Sequence, residues 1–179
     1  LDELNSKKIV NLVKAYKPDI TICFGVAYIK KRLLSVLPKK TFNIHSGLTQ
    51  KFRGYACNFW ACYFLEPNNV GATLHYVIQK VDSGNVIHQV RTSLKRKYNL
   101  HDLSSISIFK MGKVINKIIK VLLFKNPKGV QIKGGRSFLS REFKPQHLLL
   151  NYKLFKDKVS NFYLSQKMNV KNIKLIKLV

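Results

Sequence analysis

Residues 18–45 read PDITICFGVAYIKKRLLSVLPKKTFNIH, and their rhythm decides the fold class. PDITICFG is a short apolar strand closed by Gly25. AYIKKRLLSVL sets Ile29, Leu33 and Leu37 at i, i+4 and i+8, an amphipathic helix that Pro38 ends. KTFNIH is the next strand. Upstream, LNSKKIVNLVKAY (4–16) gathers Leu4, Ile9, Leu12 and Val13 near one helical face. Helix–strand–helix–strand is the order of an α/β fold with a parallel sheet and crossover helices. Such sheets usually begin with a strand. This chain begins with a helix, which points to an early part of the sheet lying outside it.

Working outward, residues 46–53 are a polar loop, and YACNFWACYFL (55–65) is apolar on nearly every side, a buried helix ending near Pro67. GATLHYVIQK and VIHQVRTSL flank the turn residues DSGN (82–85) and read as an antiparallel hairpin. Residues 104–124 form the clearest helix. Met111, Ile115, Ile118 and Leu122 make one stripe, and Lys110, Lys113, Lys117 and Lys120 another. Beyond it come a turn at NPKG (126–129), a strand pair across Gly134–Gly135, and a helix over 146–164.

At 179 residues with 46% hydrophobic content, the chain is long enough for a domain with a real core. No apolar run reaches the roughly 20 residues that span a bilayer. The acidic residues in LDELNSKKIV do not fit a signal peptide, so a cytoplasmic location is expected. Three cysteines, Cys23, Cys57 and Cys62, sit in apolar stretches and read as reduced core residues. Lys and Arg total 33 against 8 Asp and Glu, a net charge of +25 that is heaviest in the second half. That excess suits an anionic partner, whether nucleic acid, membrane surface or phosphorylated substrate, although lysine spread over the surface gives the same balance.

Several chemistries lack their motifs. Neither GxxxxGK[ST] nor GxGxxG occurs, so no phosphate-binding loop is expected. There is no G-x-S-x-G for a serine hydrolase. Cys57 and Cys62 lack zinc spacing. His75 and His88 lie on the two hairpin strands and could face each other, yet two strand histidines make a poor case for a metal, and none is expected. Asn43, His45 and Asp82 remain. Asn43 and His45 are i, i+2 and share one side of a strand where it opens into a loop. Asp82 lies at the hairpin turn. An amide can donate to a developing oxyanion, an imidazole can move a proton, and a carboxylate can orient the imidazole. No nucleophile is needed, so the set suits attack by a substrate amine on an acyl group. Spacing alone leaves a second reading open, in which Asp82 merely starts a turn and His45 is structural.

FNIHSGLTQKFRG followed by NFWACYFLEPNNVGATLHYVIQKVDSGNVIHQ resembles the 10-formyltetrahydrofolate-dependent formyltransferases, which include the phosphoribosylglycinamide, methionyl-tRNA and sugar N-formyltransferases. The resemblance rests on Asn43-Ile44-His45, Arg53-Gly54, Gly71-Ala72-Thr73 and Val81-Asp82-Ser83-Gly84 in order, over residues 19–90. It implies a partial Rossmann-like formyltransferase fold, mostly a parallel sheet with crossover helices plus an antiparallel hairpin. Residues 1–125 would be the C-terminal portion of the catalytic domain and 126–179 a C-terminal extension.

The resemblance also implies roles. Asn43 would steady the oxygen of the tetrahedral intermediate, His45 would assist proton transfer from the amine, and Asp82 would hold the histidine. Phe24, Gly25, Val26, Ala27, Tyr28 and Ile29 would receive the pterin of the co-substrate 10-formyltetrahydrofolate, with Gln79, Lys80 and Val81 closing from the other side. Lys30, Lys31, Arg32 and Lys80 lie nearest for its glutamate tail. The acceptor would be an amine on a phosphate-bearing molecule, first a nucleotide-linked amino sugar, then glycinamide ribonucleotide or methionyl-tRNA. The charge permits a nucleic-acid partner without the motifs favouring one, and a homodimer is compatible with the family.

The sequence departs from the family in two ways. The loop reads HSGLTQ where the family commonly has His-Pro-Ser-Leu-Leu-Pro, leaving it freer or shaped for another acceptor. The opening βα units are also missing, which raises the alternative of an inactive binding remnant. The segment GGRSFLSREFKPQHL (134–148) resembles C-terminal extensions of formyltransferase-like proteins of polysaccharide biosynthesis and favours a sugar amine.

Overall fold

The computed structural model describes residues 3–166, 168 and 170–179. A four-stranded sheet runs β1 (Thr21–Phe24), β2 (Thr41–His45), β4 (Gly71–Tyr76), β5 (Val86–Arg91). β1 and β2 are parallel, joined by the crossover expected from residues 18–45. β2–β4 and β4–β5 are antiparallel, so the α/β class stands while the parallel share of this sheet is confined to one pairing. The second sheet pairs β3 (Phe52–Gly54) with β6 (Arg136–Phe138) in parallel.

The helices follow the apolar periodicity, with informative differences. α1 (Lys7–Tyr16) starts where the Ser6 side chain accepts from the Ile9 amide, a standard N-cap. α2 is one turn only, Lys31–Leu34. The expected helix over 27–37 is shortened because Tyr28 and Lys30 give their backbone groups to Asn5: its Nδ2 donates to the Tyr28 carbonyl (2.9 Å) and its Oδ1 accepts from the Lys30 amide (2.8 Å). α3 (Cys57–Tyr63) is buried nearly all round, as its composition demands. α4 begins four residues before the expected start at 104, at Leu100, because Asn99 and Asp102 form a capping box, and it runs to Phe124. The expected helix over 146–164 is two helices, α5 (Pro145–Phe155) and α6 (Val159–Ser165), broken where Lys156 and Asp157 adopt positive φ. The strand pair across Gly134–Gly135 does not form; β6 instead pairs with β3 within the loop after β2.

Two cores matter for the site. Phe42, Leu74 and Ile87 from the sheet pack with Met111, Ile118 and Leu122 from the apolar stripe of α4. Phe52, Phe59, Trp60 and Leu103 form the second core, covered by Phe138, Phe143 and Leu148 from the C-terminal part. Residues 173–178 run beside β5: the Gln89 amide donates to the Ile176 carbonyl (2.8 Å), and Arg91 Nη2 donates to the Ile173 carbonyl (2.6 Å). Among the described residues no helix is long and apolar enough to cross a membrane. The cysteines Cys23, Cys57 and Cys62 are free thiols and buried.

Met111 is fully buried between α4 and the sheet. Met111→Ala is expected to lower unfolding free energy by about 2–5 kcal/mol, read from the midpoint of a denaturant titration with unchanged slope.

Candidate active site

The site is built around one carboxylate. Asp82 sits in the hairpin turn with φ 45°, a left-handed conformation that a non-glycine residue adopts only when its surroundings hold it there. Gly84 permits the turn, since a Cβ there would collide with the Tyr76 carbonyl. The turn folds back over the end of β2. Asp82 Oδ2 accepts from the Gly54 amide at 2.9 Å and meets His45 Nδ1 at 3.2 Å. Asp82 Oδ1 meets His75 Nε2 at 3.2 Å and accepts from Asn43 Nδ2 at 3.4 Å.

Each partner is delivered by sheet geometry. Asn43 and His45 share a face of β2 because strand side chains alternate with period two. His75 lies directly across from Asn43 in the β2–β4 register. The Arg-Gly pair gives β3 its place. Arg53 is buried, with Nε donating to the Thr49 carbonyl and Nη2 to the Ile132 carbonyl, both at 2.9 Å. This fixes Gly54, whose φ of 83° and close approach to the Phe138 carbonyl leave no room for a side chain, so that its amide faces Asp82. The HSGLTQ loop is pinned despite lacking prolines. Thr73 Oγ1 donates to the Gly47 carbonyl (2.7 Å), and Leu48 and Thr49 are buried.

The proton inventory of His45 follows. A carboxylate only accepts, so the Nδ1 facing Asp82 carries the hydrogen. Nε2 is left as a bare lone pair, buried and without a hydrogen-bond partner among the described residues. It lies against Gly47, where a Cβ would stand 2.7 Å from it. Burial lowers the His45 pKa below its usual 6.5, outweighing the opposing pull of Asp82. Burial alone would raise the Asp82 pKa. The hydrogen bond from His75, the neighbouring imidazoles and the Gly54 amide overcome this and hold it at about 2. The pair at neutral pH is therefore a carboxylate and a neutral imidazole. Burial pushes the Cys57 thiol beside them far up, which leaves it protonated and inert.

Asn43, His45 and Asp82 are brought together as the spacing suggests. His75 is a fourth member that sequence reading assigned only to a strand facing His88. In the structure His88 is cross-strand from Leu74 and accepts from the Leu178 amide (3.2 Å), while an irregularity between Leu74 and His75 aligns His75 with Val86. The signal was available: once β4 is antiparallel to β2, His75 must lie near Asn43. The two segments expected to receive the pterin also meet, through Tyr28 Oη donating to the Gln79 carbonyl at 2.7 Å. Phe24, Val26, Tyr28 and Val81 are exposed apolar side chains in these segments, and Gly25, Ala27, Gln79 and Lys80 are exposed with them. Ile29 differs: it is 8% exposed and packs with Val10, Cys23 and Leu33, so its side chain belongs to the core. No cluster of three or more histidine, cysteine, aspartate or glutamate residues among the described ones is arranged to hold a metal ion.

The formyl transferase family matches residues 2–117 of this sequence. The chain belongs to that family. Among formyl transferases, methionyl-tRNA formyltransferase of Chlorobium chlorochromatii (strain CaD3) is 29% identical over 103 residues, 58% of this chain and 32% of that protein. The bifunctional polymyxin resistance protein ArnA of Wigglesworthia glossinidia brevipalpis is 26% identical over 121 residues, 67% of this chain and 18% of that protein. The chain thus spans about a third or less of the length of these relatives. The crystal structure of the formyltransferase PseJ from Anoxybacillus kamchatkensis, in complex with UDP-4,6-dideoxy-4-formamido-L-AltNAc and tetrahydrofolate, superposes with a TM-score of 0.68 at 19% identity. The match covers 87% of this chain and 92% of that one and demonstrates a shared fold.

Because the folded pKa of His45 is lowered, its neutral form persists on the acid side of pH 6.5. An NMR titration of the His45 Cε1 proton is expected to show a midpoint below 6.5. In Asp82→Asn, which removes the carboxylate's upward pull, the midpoint falls further.

Proposed function

We propose that this chain transfers the formyl group of 10-formyltetrahydrofolate to a primary amine, and that the amine belongs to a nucleotide-linked amino sugar. The observation that carries the proposal is the bare Nε2 of His45, buried at the edge of a cavity, with Asp82 behind it and the Asn43 amide beside it. This arrangement is useful to a reaction in which an incoming neutral nucleophile must lose a proton while an oxygen gains negative charge.

The exposed apolar side chains Phe24, Val26, Tyr28 and Val81, on two segments joined at Gln79, fit a flat heteroaromatic ring, and bound 10-formyltetrahydrofolate would supply the activated one-carbon unit. Overall, the amine nitrogen bonds to the formyl carbon, the carbon–N10 bond breaks, and the proton lost by the amine ends on N10, giving a formamide and tetrahydrofolate. His45 Nε2 holds that proton in transit. Asp82 fixes the Nδ1–H tautomer and steadies the imidazolium while it exists. Asn43 Nδ2 donates to the oxygen where charge develops. No side chain of the chain is acylated. Holding amine and formyl carbon in register supplies up to about 7–11 kcal/mol in favourable cases.

The sugar acceptor is favoured by the fold shared with PseJ along nearly the whole of both chains, and by Phe143 and Leu148 of the segment 134–148 lining the cavity beside His45. A second reading is formylation of methionyl-tRNA, for which the +25 charge and the methionyl-tRNA formyltransferase relatives speak. Affinity for tRNA would then fall steeply with salt as counterions are released.

The test is formyl transfer from 10-formyltetrahydrofolate to a UDP-linked 4-amino-4,6-dideoxyhexose, followed as tetrahydrofolate release and formamide formation. Asn43→Ala is expected to lower kcat by about 10²–10³-fold, as for loss of one oxyanion donor. His45→Ala and Asp82→Asn are expected to lower kcat more than the KM for either substrate. Transfer that survives intact in His45→Ala would sink the mechanism. Salt-sensitive tRNA binding with formylation of methionyl-tRNA, and none of the sugar, would transfer the assignment to the second reading.

A further inference from the structure

A row of cross-strand partners runs away from His45 across the sheet. His45 on β2 stands opposite Thr73 on β4, and Thr73 stands opposite Gln89 on β5. Directly opposed residues of antiparallel strands share a face, so the three side chains line up. Beyond β5 the row ends on the segment 170–179. Apolar residues recur there at every third position, Val170, Ile173, Ile176 and Val179, all half-buried, between the exposed Lys171, Lys174 and Lys177. Side chains of β5 grip its backbone. Arg91 Nη2 donates to the Ile173 carbonyl (2.6 Å), and His88 Nδ1 accepts from the Leu178 amide (3.2 Å).

Gln89 is the junction. It is fully buried, and both ends of its amide are used to capacity. Its Oε1 accepts from the Ile176 amide at 3.2 Å and from Gln50 Nε2 at 2.7 Å. Its Nε2 donates to Thr73 Oγ1 at 3.1 Å and to Gln50 Oε1. Thr73 Oγ1 also accepts from the Thr49 amide at 3.4 Å. With both lone pairs of the hydroxyl taken, its single hydrogen is left for the Gly47 carbonyl at 2.7 Å. Gly47 in turn lies against His45 Nε2. Gln50 Nε2 reaches the Lys174 carbonyl as well, at 3.4 Å. The loop HSGLTQ has no proline to stiffen it, and it is tied at Gly47 and at Gln50 to a segment 124 positions further on.

We infer that Gln89 is a positioning residue for His45, and that residues 170–179 act through it as a strap that holds the loop after β2 against the imidazole. The inference rests on the formyl-transfer reading for its effect on turnover, and on the row itself for its effect on His45. A buried polar network is rigid while every member is satisfied, and loss of one partner leaves the others unmatched. Withdrawing the Ile176 amide or the Gln89 side chain frees the Thr73 hydroxyl to turn away from Gly47. The loop then loosens, water reaches His45, and the ring loses the burial that keeps it neutral. Asp82, His75, Arg53 and Cys57 are the other titratable groups around His45, and the row does not run through them.

The test uses the full chain and two substitutions. Gln89→Met keeps the size of the side chain and removes both polar ends. Ile176→Pro removes the amide that reaches Gln89 and leaves the sequence of β5 intact. In both, the NMR midpoint of the His45 Cε1 proton is expected to rise toward 6.5. Hydrogen exchange of the Thr49 amide is expected to quicken about 10-fold, the scale of one lost hydrogen bond. With 10-formyltetrahydrofolate and a UDP-linked 4-amino-4,6-dideoxyhexose, kcat should fall about 10-fold while the KM for the folate substrate stays unchanged. Far-UV circular dichroism establishes that each variant folds, and Gln50→Ala, at a half-buried position, carries the same expectations should either fail to fold. Leu33→Ala, in the core around α1 and α2, is the control for general loss of stability: it lowers the thermal midpoint and leaves the His45 midpoint in place. A wild-type His45 midpoint and wild-type Thr49 exchange in folded Gln89→Met overturn the positioning role. The same two results in folded Ile176→Pro overturn the strap. Neither measurement needs a substrate, so absence of turnover with every amine sugar sinks the formyl-transfer reading and leaves the hold on His45 standing.

Discussion

A carboxylate with little access to water is costly unless every lone pair has a donor, and the site depends on that constraint at Asp82. Four groups from three strands meet it: Asn43 and His45 on β2, the Gly54 amide on β3, and His75 on β4. None could be withdrawn without leaving buried charge poorly solvated. The arrangement therefore sets the approach of the hairpin turn to the end of β2 and the position of β3 over both. The positive φ of Asp82 and the close packing of Gly84 on Tyr76 are the backbone consequences of bringing the carboxylate so far in. Removing one partner from such a buried pair typically costs about 3–5 kcal/mol, so the contacts that orient His45 are also contacts that hold the turn down.

The same burial decides what His45 is. In water, a neighbouring carboxylate would favour the imidazolium. Here loss of hydration acts more strongly on the ring than Asp82 does, and the neutral form prevails. Asp82 then works through geometry more than through net charge: it faces Nδ1, which keeps the hydrogen there and leaves Nε2 bare beside Gly47. Had His45 been more exposed, the same two residues would have formed an ordinary ion pair with no base available at neutral pH.

Much of this was legible in the sequence, and for physical reasons. The strand–helix–strand pattern of residues 18–45 is set by apolar spacing, and spacing survives folding. Asn43 and His45 had to share a face because they are two apart on a strand, and the turn residues around Asp82 announced a tight reversal. The legible part ended where pairing is non-local. β3 looked like polar loop because its three residues become a strand only by pairing with β6, more than eighty positions on. α2 looked longer because nothing in its own sequence reveals that Asn5 captures the backbone at Tyr28 and Lys30. His75 could have been placed from the β2–β4 register, but that register became visible only with the hairpin packed beside β2. Ile29 was grouped with its exposed neighbours by position, whereas its apolar side chain belongs with Val10 and Leu33.

The C-terminal part connects these two levels. Phe138, the last residue of β6 and paired with Gly54 on β3, stacks on Trp60 with ring centroids 4.6 Å apart, and Phe143 meets Phe59 edge-on at 4.8 Å. The first contact supports the strand whose Gly54 amide solvates Asp82; the second forms a wall of the cavity that His45 opens on. One aromatic cluster thus supports both the charge arrangement of Asp82 and His45 and the shape of the space in front of them. Substitutions confined to the outer edge of that cluster, such as at Leu148, can reshape the space while leaving Asp82 and its donors untouched. Substitutions at its centre, such as at Trp60 or Phe138, disturb both. A site divided in this way can change the shape of its cavity without disturbing the donors of Asp82, because the carboxylate is satisfied mainly by strands and the cavity is closed mainly by helices.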